Sequence, residues 1–264
     1  MGLLSIREVG LIVVWCIAGL ATYGVLLARL FAGRAKALAS PFGPPDAALA
    51  GFIAALFGMM ACEGFESAQQ TVTNKVIING ALHETLIVLV MIAFLVFRNI
   101  RVAGLFGFRC AGLLKMAALA VVLLLAAFPL LIGVSILTQH LLGPMAQEQE
   151  LVQFFSEAVT RKDFRPVISI MAFGIFLAPA AEEFIFRGYL YGVAKKYFGL
   201  IPAMILTSLL FAAIHVNLSS LPGLFVLAVC LTIAYETTGS LLVAMAMHAL
   251  FNFSEFTMML AQSQ

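Results

Sequence analysis

The sequence predicts an all-α membrane helix bundle with about eight transmembrane helices. Of the 264 residues, 63% are hydrophobic and only 11% are charged, and the mean hydropathy is +1.08. Soluble domains are about 45–50% apolar and about 25% charged, so this composition excludes a soluble protein. The apolar stretches that predict the helices are residues 9–31, 47–61, 82–97, 113–138, 166–191, 200–216, 221–234 and 240–260.

These stretches differ in how well they match the length of a bilayer crossing. The first, fourth, fifth and eighth satisfy the requirement of about 20 apolar residues, whereas the second, third and seventh are short. The alternating ten-residue pattern of an outer-membrane barrel is missing, so the spans are predicted to be helices. We find no internal repeat or low-complexity tract, and residues 1–264 are therefore predicted to form a single integral membrane domain.

The polar segments between the stretches predict orientation and one surface helix. In residues 151–165, the apolar side chains Leu151, Phe154, Phe155 and Ala158 share one helical face, which indicates a helix lying on the membrane or over the bundle. With eight spans, ten of the 15 Lys and Arg residues fall in loops on one side. That side is predicted to be cytoplasmic.

Charge and cysteine content exclude other classes of protein. The net charge of +2, without a dense cationic run, argues against a nucleic-acid partner. High apolar content argues against disorder. The four cysteines, Cys16, Cys62, Cys110 and Cys230, are scattered through apolar stretches, so neither a disulfide framework nor a cysteine zinc site is predicted.

Three ionisable residues lie inside the otherwise apolar segment APAAEEFIFRGYLYGVAKK: Glu182, Glu183 and Arg187. An unpaired charge at mid-bilayer costs at least about 2.5–3.5 kcal/mol, so such residues indicate function by default. On a helix, Glu183 and Arg187 are four residues apart in the order that favours an ion pair. Glu182 points about 100° away from that pair. The alternative is an ion-pair cluster that only fixes helix packing.

Polar residues recur in two other apolar stretches. His215 ends the sixth, with Phe211 four residues earlier, and the eighth carries His248 and Asn252 four residues apart. At about 1.5 Å per residue, Glu182, His215 and the His248–Asn252 pair lie roughly 14–23 Å from one end of their helices. These depths overlap, so one polar intramembrane cavity is predicted to contain all of them.

The motifs EExxxR at Glu182, FxxxH at Phe211 and HxxxN at His248, in this order on apolar segments, resemble those of the CAAX-processing and bacteriocin-processing (CPBP) family of intramembrane proteases. The resemblance covers residues 166–256. It implies an endopeptidase that hydrolyses a peptide bond of a membrane-associated protein or peptide in a prokaryotic plasma membrane. Substrate identity and oligomeric state are not predicted.

The resemblance also implies a role for each matching residue. Glu182 and His215 would activate the attacking water, and His248 and Asn252 would stabilise the oxyanion, which is a large share of amide hydrolysis in a dry site. The residues expected to support the site are Glu183, Arg187, Phe211 and Tyr191.

The sequence leaves open whether this reaction uses a bound metal ion. Zinc held by Glu182, His215 and His248 is the alternative, but the residues are chemically complete without a cofactor, and the metal-free interpretation is favoured. His83-Glu84 is the nearest approach to HExxH and fails because Ile87 occupies the second histidine position. Glu84 itself is predicted to lie at a span end, in the interface.

Two rival functions stay open. Intramembrane glutamate and histidine residues also relay protons in transporters, although neither an inverted repeat nor paired broken helices are apparent. A non-catalytic membrane scaffold or bacteriocin-immunity protein of the same fold would bind a partner instead of cleaving it. Loss of Glu182 would stop flux in the first case and be tolerated in the second.

Overall fold

The computed structural model describes residues 5–39, 41–66, 73–108, 112–143 and 150–262, and within these ranges the chain forms ten helices and no β-strand. This confirms the predicted all-α class. The helices are α1 (Ile6–Phe31), α2 (Pro44–Glu66), α3 (Asn74–Phe97), α4 (Val102–Leu105), α5 (Leu113–Leu142), α6 (Glu150–Thr160), α7 (Phe164–Phe198), α8 (Leu200–Ala213), α9 (Leu221–Thr238) and α10 (Leu241–Gln262).

Seven of the described helices are long and apolar enough to cross a membrane: α1, α2, α3, α5, α7, α9 and α10. The sixth predicted stretch corresponds to α8, which has only 14 residues. The chain is thus a multi-pass membrane protein, with α8 as a shorter apolar helix among seven candidate spans.

Helix α3 begins eight residues before the predicted start at residue 82. Its first two turns contain polar side chains, which lower the apolar signal without breaking the helix. The Thr73 hydroxyl accepts a hydrogen bond from the Val76 backbone N–H and caps the helix there. Glu84 therefore lies inside a helix, and its predicted place at a span end is wrong.

Helix α7 contains two segments with π-helical turns, Phe173–Leu177 and Phe184–Leu190, which the sequence did not predict. In the first, the Ala178 N–H donates to the carbonyl oxygen of Phe173, five residues earlier. Such wide turns are rare and occur frequently at functional sites. Glu182 and Glu183 lie between the two segments.

The core of the bundle surrounds the middle of α7. Every residue from 184 to 193 is buried, as expected for a helix that is enclosed on all sides. Helix α5 packs against α1, α9 and α10, and α10 packs against the first half of α7. By contrast, α1, α2 and α3 keep broad exposed apolar faces, which suits contact with lipid.

At one end of the bundle, Glu236 links α9 to α7 and to the segment after α1. It lies near the end of α9. Its buried carboxylate accepts hydrogen bonds from the Tyr191 hydroxyl (2.6 Å), the Ala37 backbone N–H (3.3 Å) and the Lys195 ammonium group. Lys36 N–H donates to the Glu236 backbone oxygen at 2.8 Å. Glu236 thus marks a helix end and also ties the segment after α1 to α7 and α9.

Two further contacts join loops at this end. Arg98, after α3, forms an ion pair with the buried Asp46 of α2, and Lys196 of α7 donates to the Phe42 carbonyl oxygen. The basic segments after α1 and α3 and at the end of α7 therefore meet at one end, as the predicted alternation requires.

The predicted amphipathic helix is present as α6. Phe155 and Ala158 are buried against α7 and α10, whereas Glu157 and Arg161 are exposed and form an ion pair at 3.0 Å.

Cys16, Cys62 and Cys230 are free thiols. Cys110 and residues 67–72 and 144–149 lie outside the described ranges.

Candidate active site

A buried network joins α7 to α10 at Glu183. Arg187 Nη1 donates to Glu183 Oε1 at 2.8 Å, and His248 Nδ1 lies 2.9 Å from the same oxygen. All three side chains are less than 5% exposed. The predicted pairing of Glu183 with Arg187 four residues later is therefore present, and His248 completes it from a second helix.

Glu182 has different surroundings. Its side chain keeps 15% of its surface exposed, against 0% for Glu183, and its Oε2 lies 3.8 Å from His248 Nε2. That distance is too long for a hydrogen bond. Glu182 thus borders the network and keeps a small part of its side chain exposed, unlike Glu183.

Phe211 connects the remaining motif residues. Its buried ring lies 4.2 Å from the Arg187 guanidinium carbon, and its centroid is 4.9 Å from that of His215 and 5.9 Å from that of His248. A cation over an aromatic face is attracted to the ring. Phe211 thus brings Arg187, His215 and His248 around one ring.

The FxxxH spacing fixes the orientation of His215. Its Nδ1 lies 2.8 Å from the Phe211 carbonyl oxygen, four residues earlier. Because a carbonyl oxygen only accepts, Nδ1 carries the hydrogen, and in the neutral ring Nε2 holds the lone pair. His215 can therefore accept a hydrogen bond from water through Nε2.

Asn252 contacts the backbone of α7. Its Nδ2 donates to the Gly174 carbonyl oxygen at 2.7 Å. The wide turn explains why this oxygen needs a partner: Ala178 N–H donates to Phe173 instead, and Pro179 has no N–H to offer. Asn252 thereby holds α10 against α7 four residues beyond His248.

Tyr191 lies apart from this group. It is fully buried and donates to Glu236 at the basic end of the bundle. It can support the site only through the placement of α7, one turn beyond Arg187.

Glu84 is the residue near the site that sequence reasoning missed. Helix α3 packs against α7 at Ala178–Glu183. Glu84 is close enough to Glu182 for the two carboxylates to interact electrostatically. Its Oε2 atom is enclosed and has no hydrogen-bond partner in the described ranges. The available signal was an ionisable residue within a helix of spanning length.

The alternative zinc ligands, Glu182, His215 and His248, are not grouped into one coordination sphere in this arrangement. Among the described residues, no group of three or more His, Cys, Asp or Glu side chains is placed to hold a metal. His248 and His215 each direct Nδ1 to a protein oxygen, and this contact leaves Nε2 of both rings available, so only the placement of the side chains argues against a metal. The proposed reaction therefore uses no zinc ion.

Comparison with known families supports the resemblance in the second half of the chain. Residues 164–254 match the family model described as "Type II CAAX prenyl endopeptidase Rce1-like". This segment coincides with the predicted range of 166–256 and contains all three motifs, so the family resemblance is confirmed there. No curated protein and no solved structure matches the chain.

Proposed function

We propose that this chain is an intramembrane endopeptidase that hydrolyses a peptide bond of a membrane-associated protein or peptide. The observation that carries the proposal is the partly exposed Glu182 side chain beside the buried Glu183–Arg187–His248 network, in a bundle of apolar helices. The match of residues 164–254 to a protease family supports the same reaction class.

The two adjacent glutamates take different roles in this proposal. Glu183 is fully buried, and Arg187 and His248 satisfy its Oε1 atom, so it positions α7 and α10. Glu182 makes no hydrogen bond within the described residues that would compete for a water molecule. We assign Glu182 as the general base because proton transfer requires a group within reach of the reacting water.

The proposed reaction begins with water between Glu182 and His215. Glu182 removes one proton while the water oxygen attacks the scissile carbonyl carbon, and His215 Nε2 orients the water by accepting its second hydrogen. The C–N bond then breaks, and Glu182 delivers its proton to the leaving amine nitrogen. One water is consumed, and the products are a new carboxyl end and a new amino end.

His248 and Asn252 are the proposed oxyanion donors. The Asn252 amide nitrogen carries two hydrogens, so one can bind Gly174 while the other donates to the oxyanion. His248 donates through Nε2 only when both ring nitrogens are protonated, because Nδ1 faces Glu183. A single oxyanion donor contributes about 2.7–4 kcal/mol to the rate.

We place the substrate at the membrane, since the site lies within the spanning helices. The matched family is described as acting on CAAX prenyl ends, and a peptide with a lipid anchor is therefore the first probe to use. A prokaryotic plasma membrane is the proposed location.

The test compares purified protein with Glu182→Gln and His215→Ala variants on membrane-anchored, internally quenched peptides and on membrane proteomes. Cleavage by the wild type that falls by about 10²–10⁴-fold in Glu182→Gln supports the proposal. Glu157→Gln, an exposed change far from the motifs, is the matched control. Equal cleavage by wild type and Glu182→Gln would overturn the mechanism, and pH-dependent flux without products would favour a transporter.

The same assay tests the proposed independence from metal. We expect cleavage to persist after treatment with a zinc chelator and dialysis into metal-free buffer, because no group of three donor side chains among the described residues is placed to hold zinc. Loss of cleavage that added zinc restores would contradict this part of the proposal.

A further inference from the structure

Val216, the residue that follows His215, has a strained backbone. Helix α8 ends at Ala213, and the Val216 N–H donates to the Ala213 carbonyl oxygen at 3.0 Å. The φ angle of Val216, +49°, lies in the left-handed region. A β-branched residue is a genuine outlier there, because its side chain crowds the backbone. In the described part of the chain, the other non-glycine residues with positive φ are Asn99 and Lys162, neither of which is β-branched.

The side chain of Val216 lies directly against Gly64 of α2. A Cβ atom at position 64 would lie 2.6 Å from Val216 Cγ2 and 2.8 Å from Cγ1, so both methyl groups occupy the space that a side chain would need. By contrast, no atom of the described ranges lies within 4 Å of a Cβ atom built on Gly51 or Gly58, earlier in α2. Gly64 thus lets α2 approach the turn that follows His215.

This contact explains how the strain at Val216 is maintained. A strained backbone persists only where the surrounding structure holds it, and such residues are concentrated at functional sites. Helix α2 packs against α8, and the contact between Gly64 and Val216 supplies the required packing. Glycine destabilises a helix relative to alanine, so a glycine at this position is explained by the close approach of Val216.

His215 is therefore held from both sides. Before it, the Phe211 carbonyl oxygen accepts from Nδ1 at 2.8 Å. After it, Val216 turns the backbone against α2. His215 lies just beyond the last residue of α8, and helix ends fray. Displacement of a catalytic group by about 1 Å can reduce a rate by about 10²-fold, so a contact that prevents fraying here bears on the reaction.

We propose that Val216, held in its left-handed conformation by Gly64 of α2, is a positioning residue that fixes the place of His215 in the site. This inference rests on the proposed function, since Val216 acts through the histidine that orients the water. It also gives α2, which lies outside the matched segment, a part in the reaction.

Cleavage kinetics of the full-length protein in lipid nanodiscs test the proposal. Gly64→Ala displaces the Val216 side chain and should reduce kcat by about 10–100-fold, with little change in KM. Gly58→Ala, whose Cβ has open space, is the matched control and should cleave like the wild type. In a His215→Ala background, Gly64→Ala should cause no further loss. Wild-type kcat in Gly64→Ala, or equal losses in both backgrounds, would overturn the role of Val216.

The ring nitrogens of His215 give a second measurement that does not depend on cleavage. NMR spectra of protein labelled with ¹⁵N-histidine report which nitrogen carries the hydrogen, and a His215→Gln variant assigns the signals. The wild type should show the hydrogen on Nδ1, as the bond to Phe211 requires. Gly64→Ala should show both tautomers, and unchanged His215 signals would contradict the proposal.

A second variant decides the question if Gly64→Ala fails to fold. Val216→Gly permits the left-handed backbone without strain but removes both methyl groups from α2. We expect it to lower kcat and to mix the His215 tautomers, and wild-type behaviour in both measurements would overturn the role. Cleavage that depends on Glu182 but not on Gly64 or Val216 overturns this inference alone. Absence of any cleavage that depends on Glu182 overturns the proposed function and this inference with it.

Discussion

Two neighbouring glutamates show how burial separates residues of identical chemistry. Glu183 has no exposed surface and receives Arg187 and His248, whereas Glu182 keeps 15% of its side chain accessible. Removing two charges from water is costly, and a buried pair recovers that cost only when its geometry and hydrogen bonds are good. We therefore expect stability to depend on Glu183, and we assign the proposed chemistry to Glu182.

A double-mutant cycle tests the buried pair. Glu183→Gln alone leaves the Arg187 guanidinium buried without its counter-charge and should reduce the free energy of unfolding by about 3–5 kcal/mol. Arg187→Met alone should cost a similar amount. The double variant should lose much less than the sum, because no uncompensated charge remains. Chemical unfolding in detergent measures all four proteins, and additive losses would show that the pair is not coupled.

The sequence predicted the motif residues because each pair is four residues apart on one helix, and that spacing fixes a shared face without knowledge of the fold. This explains the success with Glu183 and Arg187 and with Phe211 and His215. Glu84 and Glu182 lie nearly a hundred residues apart. Only the packing of α3 on α7 brings them together, and no local spacing encodes that packing.

At the level of elements, the wide turn at Phe173–Leu177 positions α10. It frees the Gly174 carbonyl oxygen for Asn252, and Gly174 also admits the ring of Phe256, one turn further along α10. A Cβ atom at Gly174 would lie 2.9 Å from Phe256 Cε2. A side chain at this position would therefore displace the Phe256 ring from its place against α7.

Gly174→Ala is expected to reduce stability by about 1–3 kcal/mol, the usual cost of overpacking, and to lower activity as α10 shifts. Gly133→Ala in α5 is the control, since nothing lies within 4 Å of its Cβ position, and it should be neutral or slightly stabilising. Phe256→Leu should partly rescue Gly174→Ala by making room. Thermal unfolding and cleavage rates measure both effects, and equal behaviour of the two alanine variants would contradict the packing argument.

The wide turns themselves were not predictable from hydropathy. Pro179 was a visible sign that α7 departs from regular geometry, because it lacks a backbone donor. Which carbonyl oxygens lose their partners depends on the neighbouring helices. Asn252 and α10 supply the compensating contact, and that contact belongs to the tertiary structure.

For the whole molecule, composition was sufficient to predict a multi-pass bundle, since apolar length determines which segments can cross a bilayer. The lengths of α3 and α8 were harder to predict from the sequence. Polar residues in the first turns of α3 concealed its start, and α8 ends at Ala213 before His215. The basic segments gathered near Glu236 agree with the predicted sides of the loops.

Labelling of single cysteines tests the predicted orientation. In a background without the four native cysteines, Arg161→Cys should react with a membrane-impermeant thiol reagent in intact cells. Arg34→Cys should react only after permeabilisation, because the basic end is predicted to be cytoplasmic. Both positions are exposed. The reverse pattern would invert the assignment while leaving the fold unchanged.

The most direct measurement of the central claim uses water labelled with ¹⁸O. Wild-type protein and Glu182→Gln are incubated separately with a membrane-anchored peptide substrate in H₂¹⁸O. The masses and amounts of the products are then measured by mass spectrometry. The account predicts one ¹⁸O atom in the new carboxyl end formed by the wild type, and a loss of that product of at least about 10²-fold in Glu182→Gln. Equal amounts of labelled product from both proteins, or no product from either, would contradict hydrolysis by water activated at Glu182.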